Sequence, residues 1–169
     1  MRRSRDDFER LIAELQSDAG DLHGVLDENS RAWERIEQGA DDRLDWAALG
    51  YTIHNVYGVI ENYCLRVAKF FENGLDGSAW HKELLHRMTL KIGTLRPALL
   101  SEDAYLLIDE LRSFRHLFRN LYARPLDPDR TRLVQRKVEP AVNAFDAAHR
   151  EFVAKLEHIA AALDGADDR

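Results

Sequence analysis

Helical periodicity runs through almost the whole chain, and nothing in it competes. Apolar side chains recur at intervals of three and four, while no segment alternates apolar and polar residues with β-branched enrichment. Phe8, Leu11, Ile12, Leu15, Ala19, Leu22, Val25 and Leu26 form one face that continues to Trp33 and Ile36, with Gly20 and Gly24 expected to weaken or bend it. Gly39 to Asp42 breaks the pattern. A second helix is expected from near Asp45 through Ala48, Tyr51, Val56, Ile60, Leu65 and Phe70, stopped by Asn73-Gly74. Ser78 offers an N-cap to a shorter helix with Trp80, Leu84, Leu85 and Met88 on its face. After a linker containing Pro97, Ser101-Glu102-Asp103 caps a fourth helix whose acids come first and arginines last, matching the helix dipole. Pro125-Leu-Asp-Pro128 ends it, and Pro128 suits the first turn of a fifth. There Leu133, Val138, Val142, Phe145, Phe152, Leu156 and Ile159 share a side, and Pro140 is expected to kink or split the helix. The reading is an all-α, single-domain bundle of about five long, roughly antiparallel helices over residues 1–165, with a frayed tail at 166–169.

A chain of 169 residues is long enough to bury one real core. Its single cysteine, Cys64, lies among apolar residues and reads as a buried thiol rather than a nucleophile. Met1-Arg-Arg-Ser-Arg is followed by Asp6, Asp7 and Glu9 rather than an apolar run, so no signal peptide is expected. No stretch approaches the roughly 20 apolar residues that cross a bilayer, so the expected location is cytoplasmic, with no membrane partner. His81 and His86 are five apart, no HExxH or Cys-x-x-Cys occurs, and glycine-rich phosphate loops are missing. No metal and no cofactor are expected.

Charge is distributed unevenly. Residues 111–138 hold eight Arg or Lys against Asp127 and Asp129, a local +6, whereas the total is −6. A compact basic patch on an acidic body suits a local phosphate site better than wholesale coating of nucleic acid. At its centre Arg112, Arg115, Arg119 and Tyr122 follow the spacing of one helix face. Such a stripe is usually just solvated. Here, however, acids at pairing distance can serve Arg112 (Asp109 and Glu110) but not Arg115 or Arg119, and Phe114, Phe118 and Tyr122 interleave as flat surfaces for stacking. His116, one turn before Asn120, suits proton transfer during RNA cleavage, with arginine neutralising charge on the phosphate. A purely structural alternative pairs the arginines with Glu9, Glu14, Asp18 and Asp21 of the first helix.

The stretch Arg115-His-Leu-Phe-Arg-Asn120-Leu-Tyr122 resembles the R-x-x-x-x-H-x-Y motif of HEPN-domain toxins of the HepT type, all-α ribonucleases paired with a minimal nucleotidyltransferase antitoxin. Tyr57-Gly-Val-Ile-Glu61 is similar to the family's F-Y-x-x-I-E, and Ser78-Ala-Trp80-His81-Lys-Glu-Leu84-Leu85-His-Arg-Met88 to its S-W-H-x-x-L-L-x-x-M. The resemblance implies an HEPN-like fold and a homodimer whose motif helices form a composite RNA cleft. It further implies a ribonuclease in which Arg115 binds and polarises the scissile phosphate; the nuclease reading of these residues takes cleavage as metal-independent endoribonuclease chemistry and adds Arg112 and Arg119 as phosphate contacts. Tyr122 matches the tyrosine that the antitoxin modifies with AMP, which would place like charge in the path of RNA.

The motif histidine is replaced by Asn120. An amide can hydrogen-bond a phosphate or a ribose hydroxyl but cannot exchange a proton near neutral pH. Two outcomes follow. His116 supplies the lost acid-base function in a weakened toxin, or the chain is a non-catalytic HEPN module that binds RNA, nucleotide or a nucleotidyltransferase partner.

Overall fold

The computed structural model describes residues 3–72, 80–121 and 124–167. These contain five helices: α1 (Arg5–Glu37), α2 (Arg43–Phe71), α3 (Trp80–Thr89), α4 (Glu102–Arg119) and α5 (Pro128–Asp167). The only extended pairing among the described residues is one bridge between Ile92 and Arg96, in the connection from α3 to α4. The architecture is therefore the expected all-α bundle.

The starts of α1, α2, α4 and α5 each have a local chemical cause. Ser4 and Asp7 close a capping box on α1, and Asp42 and Asp45 close another on α2. The Ser101 hydroxyl accepts the Ala104 amide at 3.1 Å. Asp127 Oδ1 accepts from the amides of Asp129 and Arg130, so the last helix is capped just before Pro128, its first residue. Residues 73–79, with Asn73-Gly74 and Ser78, lie outside the described residues, as do 168 and 169 of the expected tail.

Neither the glycines of α1 nor the proline of α5 splits its helix. α1 continues through Gly20 and Gly24, where nothing crowds the backbone, because its buried face offsets about 1 kcal/mol of propensity lost per glycine. α5 is likewise a single helix through Pro140. That proline is exposed, and its two flanks are held by Val138 on one side and Ala141, Val142 and Phe145 on the other, all buried.

The core is organised around α2, which touches all four other helices. Trp46, Leu49, Ile53, Val56, Tyr57, Ile60, Tyr63, Cys64, Val67 and Ala68 are all buried, on more than one side of the helix. A single stripe therefore describes it poorly: Ala48 is exposed and Tyr51 is 56% exposed, although helical periodicity puts both on the apolar face. Leu133 is similarly outside the core at 60% exposure, and its neighbour Val134 packs inward instead. Each fully buried large aliphatic or aromatic side chain contributes roughly 1.5–3 kcal/mol.

Polar groups inside the bundle are paired across elements. Asn29 of α1 and Gln135 of α5 exchange amide hydrogen bonds of 2.9 and 2.8 Å, and Asn29 also donates to Thr52 Oγ1 of α2 at 3.0 Å. Three helices are thereby set in register. At the end of α2, Glu72 ion-pairs with both Arg87 and the fully buried Arg96, whose guanidinium also donates to the Arg87 carbonyl at 2.6 Å. Removing the carboxylate strands the Arg96 charge. Glu72→Ala is expected to cost about 3–5 kcal/mol, measured as the shift in urea-unfolding free energy; a loss under about 1 kcal/mol, the range of exposed pairs, would show that Arg96 is hydrated.

Candidate functional site

His54, Tyr57 and Glu61 recur at three- and four-residue spacing, so they lie along one side of α2. That side meets α4 running the opposite way: Glu61 reaches Arg115, whereas His54 and Gly50 reach Phe118. Gly50 permits the close approach, since a Cβ there would stand 3.0 Å from Phe118 and 2.5 Å from Leu126.

Arg115 is the centre of the arrangement. Its Nη1 donates to Glu61 Oε2 at 2.6 Å, and its guanidinium carbon lies 5.4 Å from the centroid of the Tyr57 ring. The Tyr57 hydroxyl donates to the other Glu61 oxygen at 3.1 Å. Burial first, and then the Glu61 charge, push the Tyr57 phenol well above its ordinary value, so it stays protonated and keeps donating. Glu61 is 5% exposed and Arg115 18%, which makes this a braced cation at the rim of the core rather than a freely waving one. Sequence spacing along one helix offered Arg115 no acid. The acid comes from a neighbouring helix.

The remaining motif residues divide. Arg112 Nε donates to Asp109 Oδ1 at 2.6 Å, the partner its spacing allowed. Arg119 and His116 are exposed. α4 ends at Arg119, and Tyr122 lies outside the described residues. Asn120 is the C-cap: its side-chain amide donates to the His116 backbone carbonyl at 2.8 Å. Phe114 is buried and Phe118 half-buried, with their rings stacked 6.1 Å apart. Both therefore serve packing, and the stacking surface expected of Phe114 is not available. Acids of α1 are engaged elsewhere: Glu14 and Asp18 hold Arg66 at 3.0 and 2.8 Å, and Glu9 holds Arg5 at 2.7 Å.

His54 is the residue that sequence reasoning passed over. Its ring lies 5.7 Å from that of Phe118, and its Nδ1 is sealed from water with no hydrogen-bond partner among the described residues. Burial is the main cause that lowers its pKa below the ordinary histidine value; Arg115 and Arg119 lower it further and Glu61 opposes them. The overlooked signal was its spacing of three and seven from Tyr57 and Glu61. Cys64, fully buried, has its thiol pushed up to about 12, which leaves it inert. Among the described residues no three His, Cys, Asp or Glu side chains gather as a metal site requires, and no helix is long and apolar enough to cross a membrane.

The sequence model of a family described as HepT-like protein matches residues 48–156, nearly two thirds of the chain, from α2 into α5. No curated protein and no solved structure matches it.

The lowered pKa of His54, shared by His149, has a consequence for stability. Below the ordinary histidine value the unfolded chain takes up protons that the folded chain refuses, so stability is full above that value and falls as pH drops through about 6.5 toward the folded pKa. His54→Gln should lose less stability than the wild type between about pH 8 and pH 5.5, read from urea midpoints. Parallel pH slopes would show that His54 titrates normally.

Proposed function

We propose, because this chain belongs to the HepT-like family, that it is the toxin of a toxin–antitoxin pair, a metal-independent endoribonuclease. It acts as a homodimer in which the α4 helices of two copies face one shared RNA cleft. The observation that carries this reading is the bracing of Arg115 by Glu61 and Tyr57. A cation held by a buried carboxylate stays in one place, and a guanidinium has donors enough to serve a carboxylate and a phosphate together. Arg115 thus polarises the scissile phosphate and stabilises the charge that builds on it.

Arg119, exposed one turn further on, and Arg112 contact neighbouring phosphates, and the surrounding +6 stretch draws the strand in. His116, exposed on the same helix, exchanges the proton that Asn120 cannot. Tyr122 is the residue a nucleotidyltransferase antitoxin modifies with AMP to close the cleft. The partner and the cytoplasmic setting belong to this same reading.

A second reading has one observation in its favour. Asn120 is occupied as a helix cap, which suits a chain that has given up cleavage and kept the cleft as a binding module. Growth on induced expression separates the two. Wild type is expected to slow growth, Arg115→Ala to abolish the effect and Asn120→His to deepen it, while purified protein in the presence of a chelator yields 2′,3′-cyclic phosphate ends. Harmless expression together with intact RNA would reject the nuclease and leave the binding module.

A further inference from the structure

We propose that His54 is the general base of this cleavage, taking the proton of the attacking 2′-hydroxyl beside the phosphate that Arg115 holds. The inference rests on the nuclease reading above and adds a catalytic group from α2, outside the motif on α4.

Three features of the geometry point to His54. First, because α2 and α4 run in opposite directions and Glu61 pairs with Arg115, His54 packs against Phe118 of the same helix that carries Arg115, and the charges of Arg115 and Arg119 both bear on it. Second, the ring is held: it packs on Phe118 at 5.7 Å, and Nδ1 is shut away from water. Proton exchange is thereby left to Nε2. Third, the buried Nδ1 has no hydrogen-bond partner among the described residues, a cost that packing alone does not explain, and such groups gather at functional sites.

The charges bearing on His54 are Arg115 and Arg119 from α4 and Glu61 from α2. Their balance and the burial keep the imidazole neutral at neutral pH, the form a base needs before the reaction. Asn120 has no such capacity, and its amide is already bound to a carbonyl.

The step balances without redox chemistry. The 2′-O–H proton passes to His54 Nε2 as the 2′-oxygen forms a bond to phosphorus. The bond from phosphorus to the 5′-oxygen then breaks, and that oxygen takes a proton from His116. The products are a 2′,3′-cyclic phosphate and a 5′-hydroxyl.

The test uses the purified full chain, a single-stranded RNA containing all four bases, and a 2′-O-methyl copy that binds but cannot react. His54→Gln is expected to lower kcat by about 100-fold or more, to bind the 2′-O-methyl strand within about twofold of wild type, and to lose the acid limb of the kcat/KM profile. His116→Ala should keep that limb. Normal cleavage by His54→Gln in a protein whose wild type cuts would overturn this inference alone, and so would a loss of strand binding equal to the loss of rate. A wild type that cuts no RNA would overturn the nuclease reading with it. Should His54→Gln fail to fold, the wild type decides: the imidazole pKa of His54, followed by NMR, must coincide with the acid limb, and a mismatch rejects the proposal.

Discussion

A helix that is apolar on nearly every side has to be surrounded, and the bundle is the result of surrounding α2. Its buried residues, from Trp46 to Ala68, face α1, α4, α3 and α5 together. Glu61 sits in the middle of this helix at 5% exposure. A carboxylate there is tolerable only with a cation and a donor beside it, and Arg115 and Tyr57 are those groups. The same burial that builds the core thus dictates where Arg115 must point.

That coupling explains why the motif divides into buried and exposed parts. Phe114 and Phe118 anchor α4 to the core, Arg115 stands at the rim, and Arg119, His116 and Asn120 emerge at the exposed end of the helix. Membership of the HepT-like family makes sense of this layering. Packing gives α4 a rigid base, and its termination at Arg119 leaves a wet end.

The departure at Asn120 shifts attention from α4 to its neighbour. An amide at a helix end stabilises that end and moves no proton, so a cutting version of the site has to draw on histidine elsewhere. His116 and His54 are the candidates on the two sides of the α2–α4 seam. His54 is the one whose surroundings constrain it, through Phe118 and two arginines.

Local chemistry was legible in the residues themselves. Capping by Ser101, the entry of α5 at Pro128, the absence of strand signals and the Asp109–Arg112 pair all follow from interactions within a few positions, which a linear string displays. What depended on neighbours was not legible. Tyr51 and Leu133 share the hydropathy of core residues yet face outward, because periodicity cannot say how many partners a helix has. Glu61, the carboxylate that holds Arg115, lies 54 positions away, and the place of His54 against Phe118 exists only once two helices cross. Sequence determined the helices and the chemistry each one carries. Packing decided which of those groups meet, since a contact between distant residues is a property of the arrangement of helices and of no single helix.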